Sequence, residues 1–126
     1  MTCETVIDFP RGDNTEIYFL FLDKANALLD LAGSRFVLTL AWAGGTLTKD
    51  TLDVDGLAIE EDATTITDDG ATYVGDRLTW YRTVEESRIV PSGNLTEWEV
   101  ERRIAGAQES WGSGRFNGYG GLTPDD

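Results

Sequence analysis

Three observations predict an all-β fold, an antiparallel sandwich. Most of the chain alternates large apolar with polar residues at period two, the signature of strands with one buried face. Clusters of Gly, Pro, Asp and Ser cut these runs at short intervals. Only one short segment carries a helix signal, and no repeat or heptad is present. The length of 126 residues, 40% of them hydrophobic, suffices for one packed core, so a single domain over residues 1–121 is expected, with a frayed acidic end at 122–126.

In chain order, Glu4 to Phe9 is the first strand candidate, closed by the turn residues Pro10-Arg11-Gly12-Asp13. Thr15 to Leu22 is apolar on both faces, with Ile17, Phe19 and Phe21 on one and Tyr18, Leu20 and Leu22 on the other. Such a run is expected at the centre of a sheet. After the turn at Gly33-Ser34, Arg35 to Trp42 places Phe36, Leu38, Leu40 and Trp42 on one side, and Gly44-Gly45 ends it. Residues 50–76 read as short edge strands and loops on an exposed side, since they hold nine acidic residues and no basic one. Arg77 to Arg82 is a further strand.

Thr83-Val84-Glu85-Glu86 fits a capping box, in which the Thr83 hydroxyl accepts from the amide at Glu86 and Glu86 reaches back. Pro91 stops the helix after a turn or two. A short helix crossing between two strands is found in many Ig-like sandwiches. The fold class is therefore an antiparallel Ig-like β-sandwich with one short helix near residues 83–90. From Leu95 to Ile104, Trp98, Val100 and Ile104 share one face with Arg102, and Glu97, Glu99, Glu101 and Arg103 share the other. The Gly-rich tail from Trp111, with Phe116 and Tyr119 interleaved, reads as a last strand with bulges or a segment ordered only on contact.

Composition removes several chemistries. There is no His, hence no Ser-His-Asp triad, Cys-His dyad or imidazole metal ligand. A single Cys, Cys3, allows no internal disulfide and no CxxC motif. The formal net charge of −13 opposes binding to a phosphate backbone. The N-terminus lacks the basic and apolar regions of a signal peptide, and no apolar run reaches a membrane span. No nucleic acid, membrane, metal or cofactor is expected as a partner.

The acidic centre invites a calcium reading through Asp53, Asp55, Asp68 and Asp69. Gly56 directly follows Asp55, however, where an EF-hand places a further ligand before its glycine, so a solvated loop is favoured. Glu97, Glu99 and Glu101 project from one strand face at steps of about 7 Å. Such pairs can act on sugars only if a partly apolar pocket raises one pKa; on an open face all stay ionised. A solvated face, or docking to a basic neighbour, is the reading they support. Trp42 and Trp98 fall on buried faces, Trp80 could face either way, and Trp111 in the tail is the best aromatic candidate for a partner contact. Arg11-Gly12-Asp13 is explained by its turn, and neither Gly44-Gly45 nor Gly120-Gly121 precedes the Lys-Ser/Thr of a phosphate loop.

Asp8-x-Pro10-Arg11-Gly12-Asp13 stands before an apolar strand, and Asp30-Leu31-Ala32-Gly33 before another. Leu78-Thr79-Trp80 precedes the short helix, and Pro91-x-Gly93 leads into Trp98-Glu99-Val100-Glu101-Arg102. This order, over about residues 6–121, resembles small Ig-like structural domains of tailed bacteriophages, notably the N-terminal domain of baseplate upper proteins and related tail proteins. The resemblance implies a sandwich without a catalytic site that holds virion parts together. Baseplate upper proteins usually continue in a long extension, whereas this sequence stops at Asp126. The expectation is a non-enzymatic, free-standing virion component, made in the host cytoplasm: a tail or baseplate accessory, a head–tail joining protein or a capsid decoration protein. Its partners would be other virion proteins in multiple copies, and a homo-oligomer is compatible with it. The expected contact elements are the N-terminal strand (Thr2 to Phe9), the Glu97/Glu99/Glu101 face and the tail residues Trp111, Phe116 and Tyr119. The alternatives are a carbohydrate-binding module stacking sugars on Trp80, Trp111 and Tyr119, and a calcium-dependent adhesion domain.

Overall fold

Among the described residues, eight strands form two sheets that face each other across an aromatic-rich core, with one short helix beside them. The computed structural model describes residues 4–11, 16–25, 27–53, 56–67, 70–91, 93–104 and 106–120; of 4–11, 94, 119 and 120 it describes the backbone alone. The elements are β1 (Glu4–Arg11), β2 (Ile17–Phe19), β3 (Arg35–Trp42), β4 (Gly45–Asp50), β5 (Leu57–Ile66), β6 (Thr72–Trp80), α1 (Val84–Ile89), β7 (Gly93–Ile104) and β8 (Ala107–Gly120). One sheet has the order β1-β8-β7-β3-β4, the other β2-β6-β5. With β2 to β8 taken in chain order as B, C, C′, D, E, F and G, this is GFCC′ packed on BED, the Ig-like arrangement. The pairings are antiparallel except at one margin, where β1 runs parallel to β8.

Alternation decides what each strand buries. On β3, Phe36, Leu38 and Leu40 are fully buried, and Trp42 packs half-buried against the core. On β7, Thr96, Trp98 and Val100 point inward. Ile104, at the far end of that face, is 39% exposed because the strand runs past the core. On β6, Leu78 and Trp80 are fully buried, which settles the facing of Trp80. Trp98 packs against Phe19 and Phe116 with ring centroids 5.2 and 6.1 Å away. Burying a large ring of this kind contributes roughly 3 kcal/mol relative to leaving it exposed.

The glycines of β8 belong to the same pattern. Gly112, Gly114 and Gly118 alternate with Phe116 on the buried face. A Cβ at Gly112 would lie 3.5 Å from the Trp98 ring and 3.6 Å from Phe21, in ordinary contact, so the two rings pack directly over this backbone. The tail is thus a paired strand, eight residues of which also pair with β1.

Helix α1 forms as its capping box predicts. The Glu86 amide donates to Thr83 Oγ1 at 3.0 Å, and the Thr83 amide donates to Glu86 Oε1 at 2.9 Å. The other Glu86 oxygen pairs with the buried Lys49, which ties the helix to β4.

The run at Thr15 to Leu22 does not form a central strand. It gives only the three residues of β2, at an edge of the smaller sheet, with β6 at its centre. Ile17, Phe19 and Phe21 are buried as alternation requires, but Tyr18 is 40% exposed. Its ring is covered by the Arg77 guanidinium, 4.0 Å from the ring centroid, and not by a third layer of structure. The chain then leaves the sheet, and Asp76 holds the crossing segment to β6 by accepting the Leu31 amide at 2.8 Å. That bond is the first cause holding the Asp76 carboxyl below its ordinary range.

Candidate functional site: the outer face of the five-stranded sheet

Cross-strand register brings the outward residues of β3, β7 and β8 into rows. Ala41, Glu97 and Arg115 form one row; Thr39, Glu99 and Ser113 form the next. Thr46 and Thr48 on β4 extend them, opposite Ala41 and Thr39. Short side chains at Thr39, Ala41 and Ser113 lie among longer ones at Glu97, Glu99 and Arg115. The result is an open groove of about 460 Å³. Glu97 and Glu99 are exposed, and among the described residues no hydrogen bond or ion pair engages their carboxylates.

Charge is treated differently one step along the face. Glu101 pairs with Arg103 at 3.1 Å, and Arg35 holds Asp50 through a two-pronged guanidinium–carboxylate contact with Nε 3.0 Å from Oδ1. The Arg35 hydrogen bond is the main cause that keeps Asp50 below its ordinary carboxylate range. Of the three predicted glutamates, then, two stand free over the groove and the third is part of an ion-pair cluster.

The aromatic candidates fare differently. Phe116 is fully buried and stacks against Trp98, so it is a core residue and not a contact residue. Its even number in β8 puts it on the inward face with the glycines. Trp111 is half-buried with its ring edge-on to Phe21 and Phe36 at 5.4 and 5.5 Å, and Arg102 lies 5.1 Å over it. Parity would turn Trp111 outward with Ser113. A β-bulge intervenes: Val100 pairs with Gly112 and Glu101 with Ser110, so Trp111 is the extra residue and rotates toward the core. The side chain of Tyr119 lies outside the described residues. Trp80, fully buried, has no face to offer a sugar. The strand expected at Glu4 to Phe9 is present as β1, its backbone paired to β8; Thr2 lies outside the described residues. So do Asp55, Asp68 and Asp69 of the calcium reading, whereas Asp53 is exposed in a turn. Among the described residues no group of three or more acidic or Cys side chains is arranged to hold a metal ion.

The outer face of the smaller sheet is closed by a network that sequence reading missed. Glu60 on β5 accepts from Arg77 Nε at 2.7 Å, from Thr79 Oγ1 at 2.8 Å and from the Tyr81 hydroxyl. Burial pushes the Glu60 carboxyl up, but the bonds from Tyr81, Thr79 and Arg77 outweigh it and leave the group lowered. The bond to Glu60 raises the Tyr81 phenol to about 12. The signal for this cluster is one of register: Glu60 lies opposite Arg77, beside the neighbouring pair of Ala58 and Thr79. No protein-family model matches the chain, nor does any curated protein or solved structure.

Proposed function

We propose that the chain is a non-enzymatic structural component of a tailed-bacteriophage virion, acting through protein–protein contacts. It would serve as a tail or baseplate accessory, a head–tail joining protein or a capsid decoration protein, made in the host cytoplasm and used in multiple copies. The observation that carries the reading is the groove on the five-stranded sheet, where Glu97 and Glu99 are exposed and, among the described residues, meet no ion-pair partner. Two exposed carboxylates on an open face, with no apolar pocket enclosing either, are poorly placed for acid–base catalysis. They suit a neighbour that brings positive charge to the face, and complementary charge sets register and encounter rate. The motif order resembling phage Ig-like domains supplies the choice of virion over other assemblies.

The test is mass spectrometry of purified virions, together with particles assembled from a Glu97→Lys/Glu99→Lys variant. The chain is expected in intact particles, and the charge-reversed variant is expected at reduced occupancy. Absence of the native chain from intact particles would overturn the reading. Native occupancy by the reversed variant would move the contact to another surface.

A further inference from the structure

The two sheets have four margins, and three of them resist the addition of another strand. β5 carries Glu60-Glu61-Asp62, a register shift between Glu60 and Ala63, and a left-handed backbone at Asp62 with φ of 53°. β2 is three residues long. β1 includes Pro10, which has no N–H to donate. Acid runs, bulges, shortness and proline are the usual ways by which edges are kept single.

β4 has one such device, the buried, inward-facing Lys49, and Glu86 already matches its charge. Its six residues pair with β3 in unbroken register from Gly45 to Asp50, and it is the last strand of its sheet. Among the described residues, no hydrogen bond outside the sheet engages residues 45–48. Its two charged side chains are already matched, Lys49 by Glu86 and Asp50 by Arg35. In a chain of net charge −13, this edge is neutral. Thr46 and Thr48 are exposed, and Leu47 is only half-buried against the core.

We infer that β4 is a self-pairing edge whose occupant is the β4 strand of a second copy. This inference is independent of the virion reading. An antiparallel pair about a two-fold axis must set residues of like parity opposite each other, since partners share a face. Centring the axis on Leu47 puts the two copies of Leu47 opposite each other, so each completes the other's burial. The same register sets Thr46 opposite Thr48 twice, a favourable cross-strand pair. The product is one continuous sheet of ten strands. The Glu97/Glu99 rows of the two copies would lie five strand spacings apart, about 24 Å, well beyond the screening length of about 8 Å. The Glu97 and Glu99 carboxylates therefore do not oppose this particular joint.

Sedimentation equilibrium on the full chain from micromolar to millimolar concentration tests it, with circular dichroism as a check on folding. A reversible monomer–dimer equilibrium is expected. Thr46→Glu/Thr48→Glu sets a carboxylate opposite a carboxylate twice and should raise the dissociation constant more than about tenfold. Thr46→Lys/Thr48→Glu sets opposite charges together and should return it to near the native value. A chain monomeric throughout, or a dimer that the doubly acidic variant leaves intact, would overturn the inference. A folded Lys/Glu variant that stays dissociated would overturn the register, because pairing centred on Thr48 would bring its carboxylates together.

Discussion

The two outer faces of the sandwich handle similar residues in opposite ways. On the smaller sheet, Glu60 is surrounded by three donors from Arg77, Thr79 and Tyr81. On the larger sheet, Glu97 and Glu99 project past threonine, alanine and serine and meet no donor within the described residues. What differs is which neighbours make contact. Arg77, Thr79 and Tyr81, the last just past β6, all bond one carboxylate, whereas Arg115, opposite Glu97 in register, forms no ion pair with it, and Thr39, Ala41 and Ser113 are short. A half-buried carboxylate bonded by protein donors fixes a fold; one left to solvent is available for a partner.

The sharpest way to break the contrast is to reverse the sidedness of β7 on which it depends. Trp98 and Glu99 are adjacent, one 5% exposed within the core and the other facing solvent. Trp98→Ala should cost about 3–5 kcal/mol in equilibrium unfolding, through lost burial and the cavity left beside Phe19 and Phe116. A cost below about 1 kcal/mol would mean that the strand faces the other way.

Much of this was legible in the sequence because period-two patterning is strong in β3 and β7, and because the capping box at Thr83 is local chemistry; β6 begins five residues earlier than the strand expected at Arg77, inside the segment read as edge strands and loops. The errors arose where non-local geometry decides. The glycines of the tail suggest bulges, but the position of the one opposite Val100 and Glu101 depends on the pairing of β7 with β8, so the turn of the Trp111 ring toward the core was not legible. The apolar second face of residues 15–22 is explained by Arg77, distant in sequence but stacked on Tyr18. For the same reason the Glu60 network could not be read: its partners come together only through the pairing of β5 with β6. The Glu97/Glu99 row needed only alternation, and it was found.

On the closed face, Glu60→Ala should destabilise the fold by about 1–3 kcal/mol, since it leaves the fully buried Thr79 hydroxyl without its acceptor and frees Arg77. The pH profile sharpens the point. Asp50, Glu60 and Asp76 are lowered in the folded chain, so their stabilisation is present above the unfolded value of about 4 and is lost as pH falls through the folded values. Tyr81 is raised, so its contribution is complete below the unfolded value of about 10. It is lost as pH rises toward about 12. An ultraviolet absorbance titration, with Tyr81→Phe as the difference control, should show one late tyrosine in the native chain. Glu60→Gln should move that tyrosine back toward about 10. A native Tyr81 titrating at its ordinary value would mean that the network is open in solution.

The smallest effect is expected on the open face. Glu99→Ala should change the stability of the isolated chain by no more than about 0.5 kcal/mol, because among the described residues the carboxylate has no partner to lose, and it stays in solvent on both sides of the unfolding equilibrium. Its informative measurement is the ratio of two readouts. If Glu99 serves a basic neighbour, the same substitution should reduce incorporation into assembled particles, more so at low ionic strength, where the Debye length is long. A substitution that alters unfolding as much as Glu60→Ala would show that the groove carboxylates support the fold, and the difference between the two faces would vanish.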